Sequence, residues 1–181
     1  MSKRVRAYVG LGSNVGDSRT TLQRAVLALR ALPGVRVRGV SRMYRTRPVG
    51  VTGQPDFLNA VVALDVPAGP DPETGGLALL AALKMLERSL GRRERERWGP
   101  RELDLDLLVF GRHRFQEERP DGHWLQVPHP EARNRLFVLA PLADLVPHLR
   151  PPGWRETVET ARRRQLAAEG EEAVQAVGTI S

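Results

Sequence analysis

The chain has no cysteine among its 181 residues. That excludes disulfides, zinc–thiolate sites and thiol nucleophiles. No stretch approaches the ~18 consecutive apolar residues that a membrane-spanning helix needs. The N-terminal MSKRVRAYVGLGSN runs straight into a strand pattern, with no secretory h-region. A cytoplasmic protein with no membrane partner is therefore expected. Acidic residues are outnumbered, 21 Asp and Glu against 28 Lys and Arg, which leaves a net charge of +7. Such a surplus favours anionic partners: nucleotides, nucleic acid or acidic metabolites. Histidine is sparse, and neither His113 nor His123 has neighbours at metal-ligand spacing, so both read as surface residues. The length suits one well-buried core and is short for two. One domain over residues 1–168 is expected, followed by a polar, Ala/Glu-rich tail, 169–181, that frays.

The densest chemistry lies in residues 91–110, GRRERERWGPRELDLDLLVF. An arginine-rich loop (Arg92, Arg93, Arg95, Arg97, Arg101) leads into a strand-like run holding Asp104 and Asp106. Successive side chains on a strand point to opposite faces, so the two aspartates project together. Leu103, Leu105, Leu107 and Val109 would cover the other face. Paired carboxylates on a buried strand repel each other and resist desolvation. A hard cation with oxygen ligands relieves that, and Mg²⁺ typically takes one or two carboxylates plus substrate phosphates. Arginine forks bind phosphate oxygens bidentately. Taken alone, a D-x-D pair is more often a strand-edge or turn feature than a metal site, and Glu94, Glu96 and Glu102 could make the loop a solvated, self-neutralising face.

Taken in order, residues 4–11 read as a first strand. Asp17 or Ser18 caps a helix whose apolar positions are Leu22, Ala25, Val26 and Leu29, and Pro33-Gly34 ends it. Residues 35–45 read as a second strand with a bulge or close approach at Gly39. The Gly/Pro-rich loop 46–56 is longer than a hairpin requires. A third strand, 57–66, puts Phe57, Asn59, Val61 and Ala63 on one face. Asn59 either pairs with loop backbone or reads the edge of a heterocycle. A helix over residues 73–90 buries Leu79, Leu83, Leu86 and Leu90, with Gly91 at its C′ position and Lys84, Glu87 and Arg88 on a solvated face. Residues 112–126 form an excursion or hairpin, and Val127-Pro-His-Pro130 is a rigid turn before an apolar helix at 136–145. A weakly amphipathic helix follows Trp154. The order β-α-β, β-α-β gives a split βαβ, ferredoxin-like α+β sandwich: an antiparallel sheet with helices on one face. Phe57, Asn59, Asp104 and Asp106 would then share the open face under the long loops.

Four segments together resemble the 6-hydroxymethyl-7,8-dihydropterin pyrophosphokinase family of the folate pathway. They are Tyr8-Val-Gly-Leu-Gly-Ser-Asn14, Tyr44-Arg-Thr-Arg-Pro-Val-Gly50 with Gln54-Pro-Asp-Phe-Leu-Asn59, Arg97-Trp-Gly-Pro-Arg-Glu-Leu-Asp-Leu-Asp106, and Val127-Pro-His-Pro130 with Asn134-Arg135. The likeness runs over about residues 4–148. It implies the same α+β fold, usually monomeric, and transfer of pyrophosphate from ATP to the pterin's hydroxymethyl group with release of AMP. It further implies that Asp104 and Asp106 hold two Mg²⁺ ions bridging the triphosphate. Arg92, Arg101, Arg135 and His129 would bind phosphate oxygens, Glu87 and Leu107 would lie near the nucleotide, and Arg97 and Trp98 belong to a loop closing over the substrates. Thr46, Val49, Phe57, Asn59 and Phe137 would form the pterin pocket. The family's loop usually reads G-R-x-R, and here Glu94 stands in the second arginine's place, with Arg93 or Arg95 as the substitute. Lys84 stands where a glutamine often touches the nucleotide. An RNA-binding ferredoxin-like domain would want an aromatic, Gly-rich platform on a central strand, and the chain lacks one, so no nucleic-acid partner is expected. A two-metal nuclease would want a further acidic ligand on a neighbouring strand.

Overall fold

The computed structural model describes residues 3–48, 53–91 and 100–181. Strand β1 (Arg4–Ser13) is the spine, pairing antiparallel with β4 (Phe57–Pro67) on one side and β5 (Asp104–Phe110) on the other. The far side of β4 pairs with β2 (Arg36–Val40) and then β3 (Arg42–Thr46). Every pairing in the sheet is antiparallel.

Alternation along these strands builds two cores. Val5, Ala7, Val9 and Leu11 of β1 face the same side as Ala60, Val62, Leu64 and Val66 of β4. Helices α1 (Ser18–Ala31) and α2 (Pro72–Ser89) close over that side with Leu22, Ala25, Val26, Leu29, Leu79, Leu80 and Leu83. Leu22, Leu29 and Leu83 are fully buried, and such burial contributes about 1.5–3 kcal/mol per side chain. Side-chain caps set both helix starts: Asp17 accepts the Thr20 N–H at 3.1 Å and Asp71 that of Thr74 at 2.7 Å.

The expectation of helices on one face is corrected here. The opposite face carries a second core of Tyr8, Val61, Ala63, Leu108 and Val109 beneath α3 (Leu136–Leu145) and α4 (Val158–Glu169). Residues 136–145 are apolar on nearly every side, so α3 can serve as a buried layer rather than an edge helix. Among the described residues, the end of this face near Phe57 and Asp104 stays open.

Three further expectations change. Residues 35–45 form two strands, because Ser41 breaks the run: its N–H donates to Val61 O at 2.9 Å, while its hydroxyl accepts the Val61 N–H at 2.8 Å. The bulge foreseen at Gly39 is present, and a Cβ there would press Leu145 at 3.3 Å. On β5 the register against β1 slips between Leu107 and Val109, so Leu108 is an extra residue. Leu105 and Leu107 therefore face the first core, while Val109 joins the second instead of lying beside them. Finally, residues beyond Glu169 do not simply fray. Gly170 (φ 91°) turns the chain, and β8 (Val174–Thr179) pairs with β3 at the sheet edge. Val177 and Ile180 pack against the first core, and Arg19 donates to Val177 O at 2.8 Å. The excursion at 112–126 contains the hairpin β6 (Phe115–Glu118) and β7 (Trp124–Val127).

Candidate functional site

A cavity of about 650 Å³ opens at the uncovered end of the second face. Its floor is strands β4, β1 and β5, and the register places Asn59, Gly12 and Asp104 in one row across them. Gly10 lies next to Asp106 in the same way. With neighbouring strands ~4.8 Å apart, Asn59 and Asp104 sit roughly 10 Å from each other. Only glycine separates them. A Cβ at Gly12 would meet Asn59 Oδ1 at 3.1 Å, and one at Gly10 would touch Leu108 at 3.6 Å, so side chains here would fill the floor.

At the Asn59 end, the buried amide donates from Nδ2 to Thr46 Oγ1 at 2.8 Å. Among the described residues, this bond orients the amide. Phe57 reaches the cavity from the sheet and Phe137 from α3. The Arg135 guanidinium sits over the Phe137 ring at 5.7 Å and lines the cavity too. The groups expected to hold ring and phosphate thus meet at the start of α3.

At the other end stand the carboxylates. Asp106 is pushed up to about 7, first by burial and next by the charge of Asp104. Arg101 Nη1 donates to Asp104 Oδ2 at 3.2 Å. His129 is pulled down to about 4, by burial and then by the Arg135 charge. It is neutral near pH 7. Its Nδ1 accepts the Glu131 N–H at 3.2 Å, which assigns the ring proton to Nε2 and leaves that N–H as a donor for an anion. Among the described residues no group of three or more His, Asp or Glu could hold a metal. The chain supplies two paired carboxylates, whose mutual repulsion and burial suit a hard cation completed by phosphate and water oxygens.

Thr46, Phe57, Asn59, Arg101, Asp104, Asp106, His129, Arg135 and Phe137 all line this one cavity. Glu87 and Leu107 do not. The Leu107 side chain is 2% exposed in the first core, because the bulge turns Leu108 toward the cavity instead. Glu87, expected on a solvated face near the nucleotide, is 2% exposed and bonded to the backbone of β5. Val49, Arg92, Arg95, Arg97 and Trp98 lie outside the described residues. A second cavity, about 400 Å³, shares His129 with the first and is lined by Arg114, Gln116, Gln126, Arg133 and Trp154.

Sequence reasoning missed several residues. Gly10 and Gly12 line the floor, and the signal was available: two glycines at alternate positions of one strand mark a close approach. Arg47 and Asn134, both within the motif segments quoted above, line the cavity as well; Glu131 and Glu169 also line it, and nothing in their spacing announced it. Asn14, 2% exposed, joins three segments. Its N–H donates to Arg101 O at 3.0 Å, its Oδ1 accepts the Arg101 N–H at 2.8 Å, and its Nδ2 donates to Gln54 Oε1 and Pro55 O, each at 3.0 Å. Asn14→Ala is expected to lower kcat/KM ~10-fold or more by releasing Arg101, and to cost about 1–3 kcal/mol of stability from stranded backbone groups. Steady-state kinetics alongside urea unfolding checks both, and unchanged kcat/KM would contradict the assignment.

Comparison with known proteins gives concordant results. The family described as 7,8-dihydro-6-hydroxymethylpterin-pyrophosphokinase (HPPK) matches residues 8–147. A Pseudomonas aeruginosa protein named 2-amino-4-hydroxy-6-hydroxymethyldihydropteridine pyrophosphokinase is 45% identical over 154 residues, covering 85% of this chain and 88% of the relative. A Bacillus subtilis protein of the same name is 43% identical over 139 residues, 77% of each chain. Among solved structures, a Plasmodium falciparum HPPK-DHPS triple mutant superposes with a TM-score of 0.76 over 97% of this chain. That match covers 47% of the larger chain at 14% identity, so it bears on the fold alone.

Proposed function

Since the chain belongs to the 7,8-dihydro-6-hydroxymethylpterin-pyrophosphokinase family, which transfers pyrophosphate from ATP to hydroxymethyldihydropterin in folate biosynthesis, we propose that the row Asn59–Gly12–Asp104 is the axis along which this chain does so. That row is the observation carrying the reading. The pterin edge meets the Asn59 amide, the ring lies over glycine between Phe57 and Phe137, and its hydroxymethyl group reaches toward the carboxylates. The β- and γ-phosphates run past Asp104, Asp106, Arg101, Arg135 and His129.

In the reaction the pterin hydroxyl oxygen bonds to the β-phosphorus and gives up its proton to solvent, the bond from that phosphorus to the α,β-bridging oxygen breaks, and AMP leaves with that oxygen. Such transfers depend on alignment and charge neutralisation rather than on covalent help from the protein. Arg101 and Arg135 present fixed positive charge, and His129 donates Nε2–H without adding any. Phe57 and Phe137 hold the ring so that the hydroxyl approaches in line. Mg²⁺ held by Asp104 and Asp106 would supply the remaining neutralisation of the triphosphate. The second core and α3 exclude water from the pterin end. Arg92, or Arg95 in place of the residue at Glu94, would complete the phosphate contacts from the loop. For Leu107 the nucleotide contact would be made by backbone: strand alternation that turns Leu105's N–H and C=O outward at the β5 edge turns those of Leu107 outward too. No helix among the described residues is long and apolar enough to cross a membrane, and the reading places the protein in the cytoplasm as a monomer.

The metal requirement is the point to test. Turnover is expected to vanish in EDTA and return with Mg²⁺ at millimolar concentration. Full activity in EDTA would overturn the assignment of Asp104 and Asp106 as metal ligands.

A further inference from the structure

The two aspartates are separated by Leu105, on the outer edge of the sheet. Edge strands normally leave such N–H and C=O groups to solvent. Here both are taken by α2. Glu87 Oε1 accepts the Leu105 N–H at 2.7 Å, and Lys84 Nζ donates to Leu105 O at 3.0 Å. Lys84 also donates to the same Glu87 oxygen at 2.7 Å. The Glu87 side chain is 3% exposed and that of Lys84 21%.

A buried ion pair is a poor means of holding a helix against a strand, since two apolar side chains pack as well or better. What the charged pair adds is direction. The Leu105 N–H belongs to the peptide that follows Asp104, and its C=O belongs to the peptide that precedes Asp106. Fixing both sets the two peptide planes from which the carboxylates hang. Ligand orientation of this kind usually comes from residues that never touch the bound ion.

We propose that Lys84 and Glu87 are positioning residues, which hold the backbone on either side of Leu105 and so aim Asp104 and Asp106 at a shared divalent cation. The proposal rests on the metal reading above. It concerns residues that do not line the cavity.

The double variant Lys84→Met with Glu87→Met removes both charges without stranding one. Manganese bound together with the α,β-methylene analogue of ATP, counted from the free Mn²⁺ signal in electron paramagnetic resonance, reads the site without turnover. Mn²⁺ affinity is expected to fall ~10- to 100-fold, with kcat falling in parallel. The KM for the pterin stays within about twofold, because that end of the cavity is untouched. Lys84→Arg, which keeps charge and donors, is expected to restore most of the loss. A double variant that only melts earlier, with Mn²⁺ affinity and kcat unchanged well below its melting point, overturns the proposal. Should it fail to fold, Glu87→Gln read by the same titration decides: a drop of at least ~3-fold is expected, and no drop overturns the proposal. Wild-type protein that takes up no Mn²⁺ with the analogue would overturn the metal reading itself, and this inference with it.

Discussion

Asp106→Asn is expected to cost at least ~10³-fold in kcat while leaving the fold intact, about 4 kcal/mol of transition-state stabilisation. The same substitution should stabilise the metal-free protein. In the folded chain the Asp106 carboxyl is held well above the usual carboxylate range, because burial and the neighbouring Asp104 disfavour its charge. The folded state therefore binds the proton more tightly than the unfolded state. Stability falls as pH rises from about 4 to about 7 and stays low above that. Asparagine removes this loss. In EDTA at pH 8 the variant should melt above wild type. The gap should close by pH 4, and Mg²⁺ with ATP should raise the wild type but not the variant. Equal melting at pH 8, or near-normal turnover, would remove Asp106 from the site.

Asn59→Ala is expected to act at the opposite end. The amide is buried and aimed by its bond to Thr46, so its remaining groups can meet a flat ring without rearranging. Sites built to hydrogen-bond a substrate discriminate strongly, since truncation strands buried polar atoms. A fall of about 10²–10³-fold in kcat/KM for the pterin is expected, with the KM for ATP unchanged. Thr46→Val should give a smaller loss of the same kind by freeing the amide. Steady-state kinetics with each substrate varied in turn separates the two ends. A KM for ATP that rises as far as that for the pterin would mean that Asn59 supports the fold rather than the ring.

Much of this was legible in the chain, and for physical reasons. Period-two alternation placed Asp104 with Asp106 and Phe57 with Asn59, because a strand allows two faces only. Helical spacing found the buried stripe of α1. Failures came where tertiary context overrides local pattern. Glu87 read as a solvated residue because nothing nearby in sequence reveals that the outward backbone of Leu105 needs an acceptor. Val109 was assigned the wrong face because a one-residue bulge reverses everything after it. The strand at Val174–Thr179 was missed because an edge strand with few buried positions looks like a polar tail until β3 is there to pair with it. The second helical layer was missed because α3, apolar all round, has no polar face to show which way it lies.

The most direct measurement follows the nucleotide. Protein, Mg²⁺, ATP and 6-hydroxymethyl-7,8-dihydropterin are incubated together and the nucleotides resolved by chromatography. Attack at the β-phosphorus predicts AMP that depends on the pterin and matches, mole for mole, a pterin carrying two phosphates. Pterin-dependent ADP in its place would mean attack at the γ-phosphorus and would contradict the alignment derived from the Asn59–Gly12–Asp104 row.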